Sequence, residues 1–185
     1  MSVDLDHIQQ VFEEADCLYT REEIDSTIRR MASEITEVLA NKNPLVFAVM
    51  NGGLVFCGKL LTHLHFPLES SYLHATRYRN TTSGGELDWK VPPVHELKDR
   101  TVLITDDILD EGHTLAAIID YCHEAGAREV LTAVLVDKIH DRKARPGQKS
   151  DFTGVECEDR YIFGYGMDYQ GYWRNAPGIY ALKGH

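Results

Sequence analysis

Val102-Leu-Ile-Thr-Asp-Asp-Ile-Leu-Asp-Glu-Gly-His-Thr-Leu115 runs from an apolar strand through clustered acids into a helix. The strand is expected over Thr101–Thr105, a short apolar run of the kind that is buried in a sheet. It delivers two adjacent carboxylates, Asp106 and Asp107, to the sheet edge. Asp106–Thr114 reads as a loop that goes on with Asp110, Glu111, Gly112, His113 and Thr114, and Leu115–Ala125 reads as a helix closed by Gly126. Backbone amides at a helix start attract anions, Gly112 lets the main chain approach a ligand closely, and Thr114 adds a hydroxyl donor. Asp106, Asp107, Asp110 and Glu111 raise one another's energy unless something neutralises them. A hard divalent cation, or ribose hydroxyls donating to the acids, would do so. The GxxxxGK(S/T) phosphate loop is absent.

The same alternation extends outward. Pro44–Met50 is continuously apolar, as a strand buried on both faces reads, and Asn51-Gly52-Gly53 follows it into a second helix. Before it, Thr20 and Glu23 form a capping box, and Ile24, Ile28, Met31, Ile35, Val38 and Leu39 recur at helical spacing, so a helix is expected over Arg21–Ala40. Leu68–His74 and Glu129–Val136 read as further strands, and Tyr161–Phe163 and Ile179–Leu182 as short ones. Residues Ala75–Pro93 carry turn formers, two prolines and Gly84-Gly85, and read as one long loop of the kind that closes over sites. Strands alternating with helices imply an α/β fold with a mostly parallel twisted sheet flanked by helices. Ligands in such sheets gather at the carboxyl ends of the strands.

A chain of 185 residues, 43% apolar and 26% charged, suits a single globular domain and excludes disorder. Nineteen basic against 29 acidic residues give a net charge of −10, which argues against nucleic-acid or membrane-surface binding. Phosphates would then be handled locally, by metal ions, backbone amides and a few placed cations. The four cysteines form no CxxC pair, so a zinc site is not expected. The first residues, MSVDLDHIQQ, do not resemble a targeting segment, and a cytoplasmic location is expected.

The pattern of apolar strand, two acids, two apolar residues, Asp, any residue, Gly, any residue, Thr resembles the signature of type I phosphoribosyltransferases, which bind 5-phosphoribosyl-1-pyrophosphate (PRPP). The resemblance implies that fold, with a small hood built from the terminal segments (about residues 155–185 with the N-terminus) and a mobile lid (about 75–93). It implies that Asp106 and Asp107 hold the ribose hydroxyls, directly or through magnesium. Residues Asp110–Thr114 would cradle the 5′-phosphate, and Asp110 would be the catalytic acid/base. Asn51, Gly52 and Gly53, preceded by Met50, fall where the family has a pyrophosphate loop with an often cis peptide. Other members often have lysine at Asn51, so charge for pyrophosphate would come from elsewhere, Arg77 or Arg79. In the lid, Tyr78 matches the family and Arg77 does not.

Residues 159–177 are similar to the (V/I)xGYGxDYxxxYRxLP pattern of the 6-oxopurine branch. By that resemblance Lys138 contacts the purine O6, Tyr161 stacks on the base, and the Ile162 backbone reads its edge. Asp168 would hold a second magnesium, and Arg174 the pyrophosphate. The implied activity is purine salvage: hypoxanthine or guanine and PRPP give IMP or GMP and pyrophosphate, with Mg2+ as cofactor and a homo-oligomer, dimer or tetramer, as the working form. The alternatives are a xanthine-preferring or broader transferase, and a regulator on the same fold that binds nucleic acid, for which the basic stretch Lys138–Lys149 is the only foothold.

Overall fold

The computed structural model describes residues 4–77 and 87–184. In chain order the elements are α1 (Leu5–Glu14), β1 (Asp16–Tyr19), α2 (Arg21–Leu39), β2 (Leu45–Val49), α3 (Gly53–Leu61), β3 (Glu69–Arg77), β4 (Leu87–Val91), β5 (Thr101–Leu109), α4 (His113–Glu124), β6 (Glu129–Ile139), β7 (Phe152–Glu158), β8 (Ile162–Phe163) and β9 (Ile179–Ala181).

Six strands form the main sheet in the order β4-β3-β2-β5-β6-β7. Four of its five pairings are parallel, and β4 pairs antiparallel with β3 at one edge. All five side chains of β2 are buried, as the unbroken apolar run requires. Val46 and Ala48 face α2 and α3, and Leu45, Phe47 and Val49 face α4. The alternation of a strand thus feeds two cores, one on each face of the sheet. Helix α2 begins at the Thr20–Glu23 capping box and buries Ile24, Ile28, Met31, Ile35 and Leu39 along one stripe. Helix α4 does the same from the other face with Leu115, Ile118 and Cys122. Among the described residues, no helix is long and apolar enough to cross a membrane.

Both chain ends build the second layer. Strands β1, β9 and β8 form a small antiparallel sheet, covered by α1. Phe12 of α1 stacks on Trp173, with ring centroids 4.5 Å apart, and the Trp173 indole N–H donates to the Ile8 carbonyl at 2.7 Å.

Several boundaries differ from the sequence reading. Strand β5 continues past Thr105 to Leu109, because β6 keeps pairing with it as far as Leu109 opposite Asp137. Both central acids therefore stand within the strand, not in a loop beyond it. Strand β6 likewise runs on to Ile139, so Lys138 is a strand residue. The stretch read as one loop, 75–93, begins and ends as paired strand, with Arg77 opposite Leu87. Tyr78, Arg79 and Gly84-Gly85 lie outside the described residues.

Candidate active site

The carboxyl ends of β2, β5 and β6 lie side by side, and the strand order reverses between β2 and β5. Open α/β sheets take ligands at such a point. A cleft of about 430 Å3 opens there, bordered by Met50, Gly52, Asp106, Asp107, residues 110–115 and Arg174. A second cavity of about 200 Å3 shares Asp107, Ile108 and Asp110 with the first and continues to Lys138, Tyr161, Ile162 and Asp168. One groove thus joins an acidic, amide-rich end to an end with an aromatic ring and a lysine.

The paired acids are under electrostatic stress. Asp107 is buried, and its N–H donates to Oδ1 of Asp106 at 2.9 Å. Burial, with the Asp107 charge adding to it, pushes the Asp106 carboxyl well above the ordinary carboxylate range. Burial also raises Asp107, against the pull of its hydrogen bond with Asp106 and of the Arg174 charge. Adjacent hard oxygen donors that resist ionisation together are the donor set a magnesium ion favours, so these residues fit that cofactor. A second convergence, Asp110 with His140 and Asp159, is a poorer fit. The Lys138 ammonium already sits 3.0 Å from Asp110 and 3.7 Å from Asp159.

The loop after β5 is held from behind by residues 143–148. The Lys143 ammonium donates to the carbonyls of Leu109 (2.8 Å) and Asp110 (2.9 Å), to the Lys138 carbonyl (2.9 Å) and to the Asp137 carboxylate (2.7 Å). The Ala144 N–H donates to the Glu111 carbonyl at 2.7 Å, and the Gln148 amide to the Gly112 carbonyl at 3.0 Å. Four successive carbonyls, from Leu109 to Gly112, are thereby drawn to one side. Planar trans peptides then turn the amides of residues 110–113 to the other, which is how a backbone nest for an anion is made. Gly112 has φ +79°, and a Cβ there would stand 2.7 Å from both Gln148 and Leu109. Only glycine fits.

At the other end, Asp110 accepts from the Lys138 ammonium through Oδ2 (3.0 Å) and meets Nε2 of His140 through Oδ1 (2.7 Å). Burial would raise its pKa. The hydrogen bonds from Lys138 and His140 outweigh that and hold the carboxyl below its ordinary value. Asp159 is held at about 2, chiefly by its hydrogen bonds from Arg142. Residues near the C-terminus border the groove: the Tyr161 hydroxyl donates to the Asp168 carbonyl (3.1 Å), and Asp168 pairs with Arg174 at 2.6 Å. Arg174 also donates to the Gly166 carbonyl (2.7 Å).

Comparison with known proteins agrees with this geometry. A family profile described as "Phosphoribosyl transferase domain" matches residues 15–170. The hypoxanthine-guanine-xanthine phosphoribosyltransferase of Tritrichomonas foetus is 34% identical over 90% of each chain. The hypoxanthine-guanine phosphoribosyltransferase of Bacillus subtilis is 33% identical over 90% of this chain and 92% of its own.

The chain belongs to the phosphoribosyltransferase family.

Within that family it groups with the hypoxanthine-guanine members. A solved hypoxanthine-guanine-xanthine phosphoribosyltransferase superposes with a TM-score of 0.78 at 31% identity, covering 93% of this chain and 97% of that one. The phosphoribosyltransferase fold brings Asp106, Asp107, Asp110, Glu111, Gly112, His113, Thr114, Gly52 and Arg174 to the larger cleft, and Lys138, Tyr161, Ile162 and Asp168 to the smaller. The Met50–Asn51 peptide is cis. Asn51 itself is exposed and does not border the cleft. Gly53 is buried, with space for a Cβ closed by the Thr105 carbonyl at 2.8 Å. Arg77 is a β3 residue, and Tyr78 lies outside the described residues.

Sequence reasoning on this phosphoribosyltransferase missed His140, Lys143 and Gln148. Lys143 lies in the basic stretch Lys138–Lys149, yet its side chain is only 12% exposed, close to the 10% of Lys138. For His140 a signal existed. Two residues beyond Lys138, it shares the lysine's side of an extended chain.

Proposed function

We propose that this chain makes purine mononucleotides in salvage, joining hypoxanthine or guanine to PRPP and releasing pyrophosphate. The observation that carries this reading is the Lys138–Asp110 pair. Nζ and Oδ2 lie 3.0 Å apart, with Lys138 lining the smaller cavity and Asp110 bordering both. O6 and N7 lie side by side on one edge of a 6-oxopurine. A lysine donor for O6 and a carboxylate acceptor for N7–H complement that edge.

In the forward direction N9 bonds to the anomeric carbon as that carbon's bond to pyrophosphate breaks. The electron pair leaves on the pyrophosphate oxygen, and the N7 proton passes to Asp110. Residues 110–114 hold the 5′-phosphate through their backbone amides, and Tyr161 stacks on the base. Arg174 and the segment around Gly52 and Gly53 take the pyrophosphate. Asp106, Asp107 and Asp168 would hold magnesium, which when bound neutralises charge on the pyrophosphate. Holding N9 in line with the departing group is the remaining task of the groove.

The test is PRPP-dependent pyrophosphate release with hypoxanthine, guanine, xanthine and adenine, with magnesium and with chelator. Turnover of the 6-oxopurines, lost with chelator, is expected. No turnover of any base, or preference for adenine, overturns the reading. Xanthine is in the panel because one relative of similar identity carries it in its name. The same reading makes the protein cytoplasmic and a homo-oligomer, the latter checked by light scattering.

A further inference from the structure

We infer that His140 is a positioning residue for Asp110, fixing by a neutral, singly oriented imidazole which carboxylate oxygen is presented to the purine. This rests on the reading above. The His140 side chain is 4% exposed. Its Nδ1 accepts the Arg142 backbone N–H at 3.0 Å. A ring nitrogen that accepts carries no proton, so the proton is on Nε2, which donates to Oδ1 of Asp110 at 2.7 Å. The backbone thereby dictates the tautomer, and the tautomer dictates that Oδ1 is occupied.

The consequence appears when substrate arrives. Among the described residues, the second oxygen, Oδ2, is held by Lys138 alone. Once the lysine turns to the purine O6, the Asp110 side chain, 43% exposed, has one anchor left. That anchor is His140. With Oδ1 engaged, Oδ2 is the oxygen free to receive the N7 proton, and the carboxylate does not have to be ordered at the moment of reaction. His140 touches neither substrate nor phosphate in this arrangement and acts through Asp110.

Two variants separate orientation from packing. In His140→Asn, the shorter amide can still accept the Arg142 N–H but does not reach Asp110. In His140→Gln, the amide nitrogen stands near the place of Nε2 and can donate to Oδ1. The measurement is steady-state kinetics with hypoxanthine and PRPP, for each variant alone and combined with Asp110→Asn. The expected result is a kcat lowered roughly 10-fold to 100-fold in His140→Asn, the range of a hydrogen bond to a charged group, with KM for PRPP within about twofold. His140→Gln recovers most of the loss, and His140→Asn costs nothing further once Asp110 is Asn. The inference is overturned by an unchanged kcat in His140→Asn, by failure of Gln to rescue, or by an equal loss in the Asp110→Asn background. Wild-type protein inactive on every base would instead overturn the functional reading on which the inference stands.

Discussion

A Cβ on Gly52 would stand 2.1 Å from Oδ2 of Asp107. The loop after β2 and the acid of β5 are thus built against each other, and Gly166 packs on the same loop. A Cβ on Gly166, at φ +112°, would meet the Gly52 carbonyl at 2.1 Å. Gly52→Ala should displace the Asp107 carboxylate and lower kcat/KM for PRPP by about 10²-fold, the cost of misplacing a group near the reacting atoms. Circular dichroism should stay native. Gly58, inside α3, is the contrast, since a Cβ there meets nothing within 4 Å. Gly58→Ala should leave kinetics unchanged and stabilise the fold by roughly 0.5–1 kcal/mol, read from urea unfolding.

The raised pKa of Asp106 has a sign that can be checked. Its folded value lies above the unfolded one, so the ionised acid weakens the fold at neutral pH. That penalty fades as pH falls through the folded value and is gone below the unfolded value of about 3.9. Asp106→Asn should therefore raise the melting temperature of the ligand-free protein at pH 7 by a few degrees, the shift of about 1 kcal/mol in a chain of this size. The advantage should shrink on acidification, while PRPP turnover is lost. A melting temperature that falls at pH 7 would show that the acid is not strained.

These two residues also mark how far the sequence could be read. The tip of β5 was legible because apolar run, acids, glycine and helix start follow one another in a line, and local chemistry decides each. The length of β5 was not, since Asp106–Leu109 is strand only through its pairing with β6. Strand β7 was missed for a related reason. Phe152–Glu158 alternates weakly, and Gly154 is there because a Cβ would meet the Leu135 carbonyl at 2.3 Å. Helix α1 carries a short stripe of Leu5, Ile8, Val11 and Phe12, but it is only ten residues long and buries Ile8 alone, too little for periodicity to mark it clearly. The supports of the site, Lys143 and Gln148, bind carbonyls of a loop distant in sequence, and no spacing in the chain announces such partners.

Lys143 supplies a stability test. It and Asp137 are almost fully buried, with side chains 12% and 9% exposed. Removing one partner of a buried pair strands the other, at a cost of about 3–5 kcal/mol. Lys143→Met should lose that much in urea unfolding. Adding Asp137→Leu should recover only part of it, because the carbonyls of Leu109, Asp110 and Lys138 still lack their donor. Full recovery by the double variant would mean that those carbonyl contacts contribute little.

Asp110→Asn keeps the shape of the side chain and removes its capacity to take a proton. Calorimetry should find PRPP binding retained, with turnover slowed by ~10²–10⁴-fold, the usual contribution of a general acid or base. Unchanged turnover would take Asp110 out of the mechanism and leave the Lys138 pair as a structural contact.

Tyr161 is 47% exposed and lines the smaller cavity, so its ring is open to a ligand there. It is tied down by its hydroxyl, which donates to the Asp168 carbonyl, and by an edge contact with Tyr169, ring centroids 5.9 Å apart. Stacking of a base on an aromatic side chain contributes ~1–3 kcal/mol by alanine substitution. Tyr161→Ala should therefore raise KM for hypoxanthine about 5-fold to 100-fold with KM for PRPP unchanged. Tyr161→Phe keeps the ring and loses only the tether, and should stay within about threefold of wild type. If both variants lose equally, the hydroxyl contact to Asp168 governs the site and the stacking role is wrong. If neither moves KM for the base, the purine does not lie on this ring.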